Sequence, residues 1–149
     1  MAAVVFVSGC TQQGNNTTQQ NNTTVQQNAT NTSAKTVDVV AIQSGPAEAK
    51  KGDNVNVTYE VSNKGTETVY NVQIVSQDFE QNVGTLIPGE TRKYTGKSHI
   101  PTDAEVQQNY KTNSTVPNPF FIGGFGVLFN DAKGSKYTIK SNDLEIKLV

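Results

Sequence analysis

The chain has 149 residues, with 12 Lys and Arg residues against 13 Asp and Glu residues, one His, one Cys and no Trp. This length suits one domain, a single Cys excludes an intrachain disulfide scaffold, and a net charge of −1 gives no electrostatic basis for nucleic-acid binding. All the charged residues follow position 34. The chain therefore divides into an uncharged N-terminal part and a domain of ordinary charge content.

The chain begins with a short apolar run that ends in small residues and the only Cys, Val7-Ser8-Gly9-Cys10. A run of this length cannot cross a bilayer, which takes roughly 20 residues, but an apolar segment before small residues is typical of a secretory signal. The four residues resemble the box of bacterial lipoproteins, in which the Cys receives a diacylglycerol. We predict that residues 1–9 are a truncated signal segment and that Cys10 is a lipid-attachment site. The alternative is a free, buried Cys.

A polar tract follows the Cys. Of the 24 residues at positions 11–34, 19 are Asn, Gln or Thr. Such a segment buries too little apolar surface to offset the entropy of ordering, so we predict a disordered stalk over residues 10–35. The chain holds eight Asn-x-Ser/Thr sequons, at Asn15, Asn16, Asn21, Asn22, Asn28, Asn31, Asn56 and Asn113. They are candidate glycosylation sites, although a tract rich in Asn and Thr also produces sequons by chance.

Residues 36–149 show a period of two, which is typical of half-buried strands. The clearest example runs from Val55 to Val61, and similar patterns occur at 37–42, 70–74, 91–98, 112–116, 125–129, 137–139 and 144–148. Asn63–Thr66 is predicted to be a hairpin turn, and Leu86–Glu90 a second turn. Asp103–Gln108 favours a single helical turn. We predict an all-β fold, an antiparallel Ig-like sandwich of about seven strands.

The order of these motifs resembles a known family. An alternating strand after Lys51-Gly52-Asp53, the turn Asn63-Lys64-Gly65, and the run Gly84-Thr85-Leu86-Ile87-Pro88-Gly89-Glu90 are together similar to CARDB-type domains, the cell-adhesion-related Ig-like modules of prokaryotic surface proteins. The likeness covers about residues 36–100. It implies a non-enzymatic sandwich outside the cytoplasm that serves as a spacer, adhesion module or accessory domain.

The segment from Pro117 to Phe129 contains four of the six Phe residues. Phe125, Val127 and Phe129 are predicted to point into the core. Phe120, Phe121 and Ile122 precede two glycines, and we predict that they form a loop that contacts a partner.

The remaining candidates give no catalytic or metal site. His99 is the only His and offers one ligand at most. The carboxylates of Asp78 and Glu80 suit a solvated strand face better than a calcium site, because no Asp-rich loop accompanies them. We therefore expect no enzyme activity, no metal and no cofactor.

We predict a surface protein anchored to the cell membrane through its lipidated Cys, which presents an Ig-like domain to another cell-envelope protein or to a glycan. The alternative is an accessory lipoprotein that binds a glycan or a small ligand. A concave pocket with exposed aromatic rings beside polar groups would favour the alternative.

Overall fold

The computed structural model describes residues 35–111 and 113–149, and these form ten strands and one helix. The strands are β1 (Val39–Ser44), β2 (Glu48–Ala49), β3 (Asn54–Asn63), β4 (Val69–Val75), β5 (Glu80–Leu86), β6 (Thr91–His99), β7 (Phe120–Ile122), β8 (Gly126–Asn130), β9 (Lys136–Lys140) and β10 (Leu144–Leu148). The helix α1 (Asp103–Tyr110) lies between β6 and β7. The predicted all-β class is confirmed. The predicted signal segment, Cys10 and the first six sequons lie outside the described residues.

The strands form three sheets in a sandwich-like arrangement, with the orders β1-β3-β6, β5-β4-β8-β9 and β2-β10-β7. Every pair is antiparallel except β2 with β10. That short parallel pair departs from the purely antiparallel expectation. It forms because the amide groups of Lys147 and Val149 donate to the carbonyl oxygens of Ala47 and Ala49, so the chain end is held beside an early segment.

The core follows from the predicted alternation. Val57, Tyr59 and Val61 on β3 are at most 1% exposed, while the residues between them face outward or are half-buried. Phe125 and the β8 residue Val127 are fully buried, as predicted. The ring of Tyr59 meets the ring of Phe125 edge-on, with centroids 5.2 Å apart. This contact joins the sheet of β3 to the segment that leads into β8.

The predicted hairpin at Asn63–Thr66 is wrong. Both edges of β3 are already paired, one with β1 and the other with β6, so β4 cannot add beside it. After β3 the chain instead crosses to the sheet β5-β4-β8-β9. The fully buried Asn63 holds this crossing: its Nδ2 donates to the carbonyl oxygens of Glu67 and Leu86, and its Oδ1 accepts from the amide of Gly65.

Two other local predictions are corrected between β6 and β8. Residues 113–116 form no strand, because the amide of Val116 donates to the carboxylate of Asp103 rather than to a neighbouring strand. The predicted loop Phe120–Ile122 is strand β7, which pairs with β10. The expected single helical turn is an eight-residue helix, begun by a capping box between Thr102 and Glu105.

We expect Phe125→Ala to lower the free energy of unfolding by about 3–5 kcal/mol, because the variant loses buried ring contacts and leaves a cavity. Chemical denaturation measures the change. Phe121→Ala is the matched control: its ring is 56% exposed, so its cost is expected to stay below about 1 kcal/mol. Equal losses in the two variants would contradict the placement of Phe125 in the core.

We expect Asn63→Ala to cost about 3 kcal/mol, because two buried backbone groups and one part-buried group lose their hydrogen-bond partner. Asn56→Ala, at an exposed position of the same strand, is expected to change stability by less than about 0.5 kcal/mol. Urea denaturation of both variants tests this difference. A small effect at Asn63 would show that the crossing does not depend on its amide.

Candidate functional site

A cleft of about 570 Å³ opens at one end of the sandwich. This is the end at which β4 and β6 finish and from which α1 starts. The lining residues come from six separate parts of the chain: Gln43; Tyr59; Ser76–Asp78; Ser98, His99 and Pro101; Tyr110; and Phe120–Gly124. The volume lies within the range of about 300–1,000 Å³ that is usual for small-molecule sites.

The loop between β4 and β5 forms one wall and is held by four contacts. The amide and hydroxyl of Ser76 both donate to the carbonyl oxygen of Phe79, at 2.8 and 3.0 Å. The hydroxyl of Ser98 donates to the Asp78 carboxylate at 3.0 Å. The Phe79 ring stacks on Tyr59 with a centroid distance of 4.6 Å and an interplanar angle of 6°. The wall is therefore tied to both β3 and β6.

Gly96 makes the stacking of Phe79 possible. A Cβ at this position would lie 2.9 Å from the Phe79 ring and 3.1 Å from the Tyr59 ring. Any side chain here would push Phe79 away from its stacked position. Because Gly96 has no side chain, the loop between β4 and β5 can lie against β6 and form the wall of the cleft.

Gln43 forms part of the cleft lining and is 3% exposed. Its Nε2 lies 3.2 Å from the carbonyl oxygen of Ile122 and 3.4 Å from that of Gly123. Its backbone amide donates to Oδ1 of Asn142, whose Nδ2 donates back to the Gln43 carbonyl oxygen. The Asn142 side chain therefore forms hydrogen bonds with the backbone of β1 in the way that a neighbouring strand would.

The Gly123-Gly124 pair is fixed by the loop between β9 and β10. A Cβ at Gly124 would lie 2.5 Å from the Ser141 carbonyl oxygen, so only glycine fits. The Gly124 amide donates to the carboxylate of Asp143 at 2.7 Å. This amide, together with the Lys140 ammonium, lowers the pKa of Asp143 below its ordinary value of 3.8. The glycines therefore form a rigid rim beside Phe121.

His99 lines the cleft but is engaged with α1. Its Nε2 lies 3.2 Å from both carboxylate oxygens of Glu105. The amide and hydroxyl of Thr102 also donate to that carboxylate, and these bonds, with a smaller contribution from His99, lower the pKa of Glu105 from 4.5 to about 2.

The predicted partner-binding residues Phe120, Phe121 and Ile122 all line this cleft. Phe121 is exposed, and the other two are half-buried because β7 packs on β10. Sequence reasoning missed Gln43, Asp78 and Tyr110 as members of the same site. They lie on β1, in the β4–β5 loop and at the end of α1, and nothing in their local sequence indicates that the fold brings them together.

The two described sequons, at Asn56 and Asn113, are separate from the cleft lining. Asn56 is exposed on β3, and Asn113 is exposed in the segment after α1, so both sequons are accessible. Asp78 lies in a loop rather than on a strand face with Glu80, since β5 begins at Glu80. Within residues 35–111 and 113–149, no group of three or more His, Cys, Asp or Glu side chains is placed to hold a metal. No helix of that part is long and apolar enough to cross a membrane.

Comparison with known proteins gives one family. The model of the translocon-associated protein beta (TRAPB) matches residues 20–140. No curated protein matches the chain. Among solved structures, the putative ApaA protein from Bordetella pertussis aligns with a TM-score of 0.46 and 15% identity, over 77% of this chain and 97% of that chain.

The resemblance to CARDB-type modules is wrong, because the TRAPB model matches and no CARDB model does. The motifs that carried it have a structural explanation. Asn63 and Gly65 build the crossing from β3 to β4, and Gly89 adopts a φ of +80° in the turn from β5 to β6. Such turns serve any sandwich in which the chain passes between sheets, so their order does not identify one family.

The Glu105 carboxylate makes stability depend on pH in a defined direction. A folded-state pKa of about 2 against an ordinary 4.5 stabilises the fold above about pH 4.5, and this contribution is lost as the pH falls toward 2. We expect Glu105→Gln to flatten this part of the stability profile, as measured by urea denaturation across the acid range. Thr102→Ala, which keeps the backbone donor, should flatten it only partly. An unchanged profile in Glu105→Gln would contradict the assignment.

Proposed function

The chain belongs to the translocon-associated protein beta family, and on this basis we propose that it is a non-enzymatic partner of a membrane protein-translocation channel. The observation that carries the proposal is the match over residues 20–140. The matched residues include strands β1 to β9 and part of the polar tract. The family name records association with a translocon, and we extend that association to this chain.

The outer face of the sheet formed by β5, β4, β8 and β9 supplies a surface for such docking. Tyr70 and Val75 on β4 and Leu128 on β8 are 41%, 38% and 40% exposed. Leu128 lies opposite Gln73, between the two β4 residues in register, so the three side chains share one face. Apolar side chains grouped on a strand face are typical of protein contact surfaces. We name Tyr70, Val75 and Leu128 the apolar stripe.

On the outer face of the sheet β1-β3-β6, Ile42 on β1 is the one exposed large apolar side chain among the described residues. Across β3 and β6, the outward pairs are Asn56 with Lys97, Thr58 with Thr95, and Glu60 with Lys93. Lys93 and Glu60 form an ion pair at 2.8 Å. Charged residues along the edge strand β6 also discourage pairing with a further strand. The contrast between the two faces supports the apolar stripe as the docking side.

The membrane attachment predicted from the sequence remains part of the proposal. Lipidation of Cys10 would hold the protein at the outer surface of the cell membrane, and residues 11–34 would give the sandwich freedom to reach a membrane-embedded partner. Sugars on the accessible sequons Asn56 and Asn113 would keep the polar side of the domain hydrated. With these features the domain would lie where a translocation channel is accessible from outside the cytoplasm.

We expect Leu128→Asp to reduce co-purification of the channel by at least ~10-fold, because a buried, unpaired carboxylate would oppose docking. The tagged full-length chain is isolated from detergent-solubilised host membranes, and channel subunits are identified and quantified by mass spectrometry. Ile42→Asp is the matched control, since Ile42 is 47% exposed on β1, in the other sheet, and should leave co-purification unchanged.

Three further results are decisive. Cys10→Ala should move the chain from the membrane to the soluble fraction, and retention in the membrane would contradict the lipid anchor without bearing on the stripe. Equal recovery of the channel with Leu128→Asp and wild type would contradict docking through the stripe. Absence of channel subunits from the wild-type sample would overturn the proposed function itself.

A further inference from the structure

The cleft at the end of the sandwich contains features that docking through the apolar stripe does not use. It combines a buried acceptor without a partner, exposed aromatic rings, and polar side chains on a fixed loop. We propose that this cleft binds a neutral glycan. The proposal is independent of the translocon association and concerns different residues.

The strongest single feature is the amide of Gln43. Its Nε2 faces two carbonyl oxygens, those of Ile122 and Gly123, and this fixes the orientation of the amide, since reversal would place Oε1 against both oxygens. Oε1 is buried and accepts no hydrogen bond within the described part of the chain. Buried side-chain acceptors without a partner are uncommon in folded proteins. Because Gln43 lines the cleft, a ligand hydroxyl that displaces the neighbouring lining would reach and satisfy this atom.

The aromatic residues supply the second requirement. Tyr110, at the end of α1, is 73% exposed, and Phe121 is 56% exposed. Both line the cleft, together with the half-buried Phe120. Exposed rings at the rim of a concave site offer flat apolar faces, and a sugar ring presents a matching face of C–H groups.

The remaining lining residues favour a ligand rich in hydroxyl groups. Asp78 is an acceptor held in place by Ser98, and Ser76 and Gln77 lie beside it in the same loop. His99 is engaged by Glu105 at 3.2 Å, and Asp78 is the acidic residue among the lining side chains. A carboxylate accepts from neutral hydroxyls and repels an anionic ligand. This selects a neutral saccharide over an acidic one.

The backbone around the cleft argues against an extended peptide as the occupant. A peptide that adds to a sheet needs free amide and carbonyl groups on an edge strand. On β1, the amide and carbonyl of Gln43 are bonded to Asn142. On β7, the carbonyl of Ile122 accepts from the Gln43 side chain. The groups that a peptide strand would use at this point are already engaged, whereas the side chains remain available.

The test is a titration of the isotopically labelled full-length chain, followed by nuclear magnetic resonance. The probes are three neutral oligosaccharides, namely maltotriose, mannotriose and triacetylchitotriose, with an alternating Val-Thr hexapeptide as the peptide probe. We expect at least one oligosaccharide to shift the side-chain amide signal of Gln43 together with the ring signals of Tyr110 and Phe121. The affinity of that oligosaccharide should fall by at least ~10-fold in Phe121→Ala.

Tyr70→Ala is the matched control, because Tyr70 is an exposed aromatic residue on the apolar stripe and should leave glycan affinity unchanged. The melting temperature of each variant separates lost binding from lost folding. Shifts caused only by the hexapeptide would assign the cleft to a peptide and overturn the proposal. The absence of shifts with all three oligosaccharides at millimolar concentration, or equal affinities in Phe121→Ala and wild type, would also overturn it.

Discussion

The buried amide of Asn63 holds together segments that no strand pairing connects. Its side chain bonds to the crossing that leads into β4 and to the last residue of β5, through Glu67 and Leu86. Its backbone amide and carbonyl bond to Glu90 and Gly89 in the turn that leads into β6. The connections from β3 to β4 and from β5 to β6, which join the sheet β1-β3-β6 to the sheet β5-β4-β8-β9, are therefore both anchored on Asn63. The β3 and β6 strands run from this anchor to the opposite end of the sandwich, where the cleft lies.

Two other asparagines use the same chemistry. The amide of Asn142 pairs with the backbone of Gln43 on β1, and the amide of Asn118 donates to and accepts from Leu148 on β10. A carboxamide carries the same donor and acceptor as a peptide group, so it can complete a strand edge where no strand is available. In this way side-chain amides fix loops of a domain whose described residues contain no Cys, and two strand edges are closed to further pairing.

The two proposals place different activities on different surfaces. The apolar stripe lies on the outer face of one sheet and suits a protein partner, whereas the cleft lies at the end of the sandwich. The match to the translocon-associated protein beta family covers nearly the whole fold and therefore supports the first. The second depends on contacts among distant residues, above all the environment of Gln43. The motifs that resemble those of adhesion modules form the connections between sheets, from β3 to β4 and from β5 to β6. For this reason the resemblance did not identify the family.

The sequence by itself determined the class of fold and much of its core. Alternation along β3, β8 and β10 reports which side chains are buried, because a strand places successive side chains on opposite faces, whereas an irregularity in β4 turns Tyr70 outward, away from the buried Val72 and Ile74. The sequence also indicated the aromatic segment around Phe121. Only the tertiary structure decided which strands pair, because local pattern does not record that both edges of β3 are occupied. The cleft likewise depends on long-range contacts: Gln43, Asp78 and Tyr110 are ordinary polar or exposed residues in the sequence, and they form one site only when the fold brings together chain segments that lie far apart.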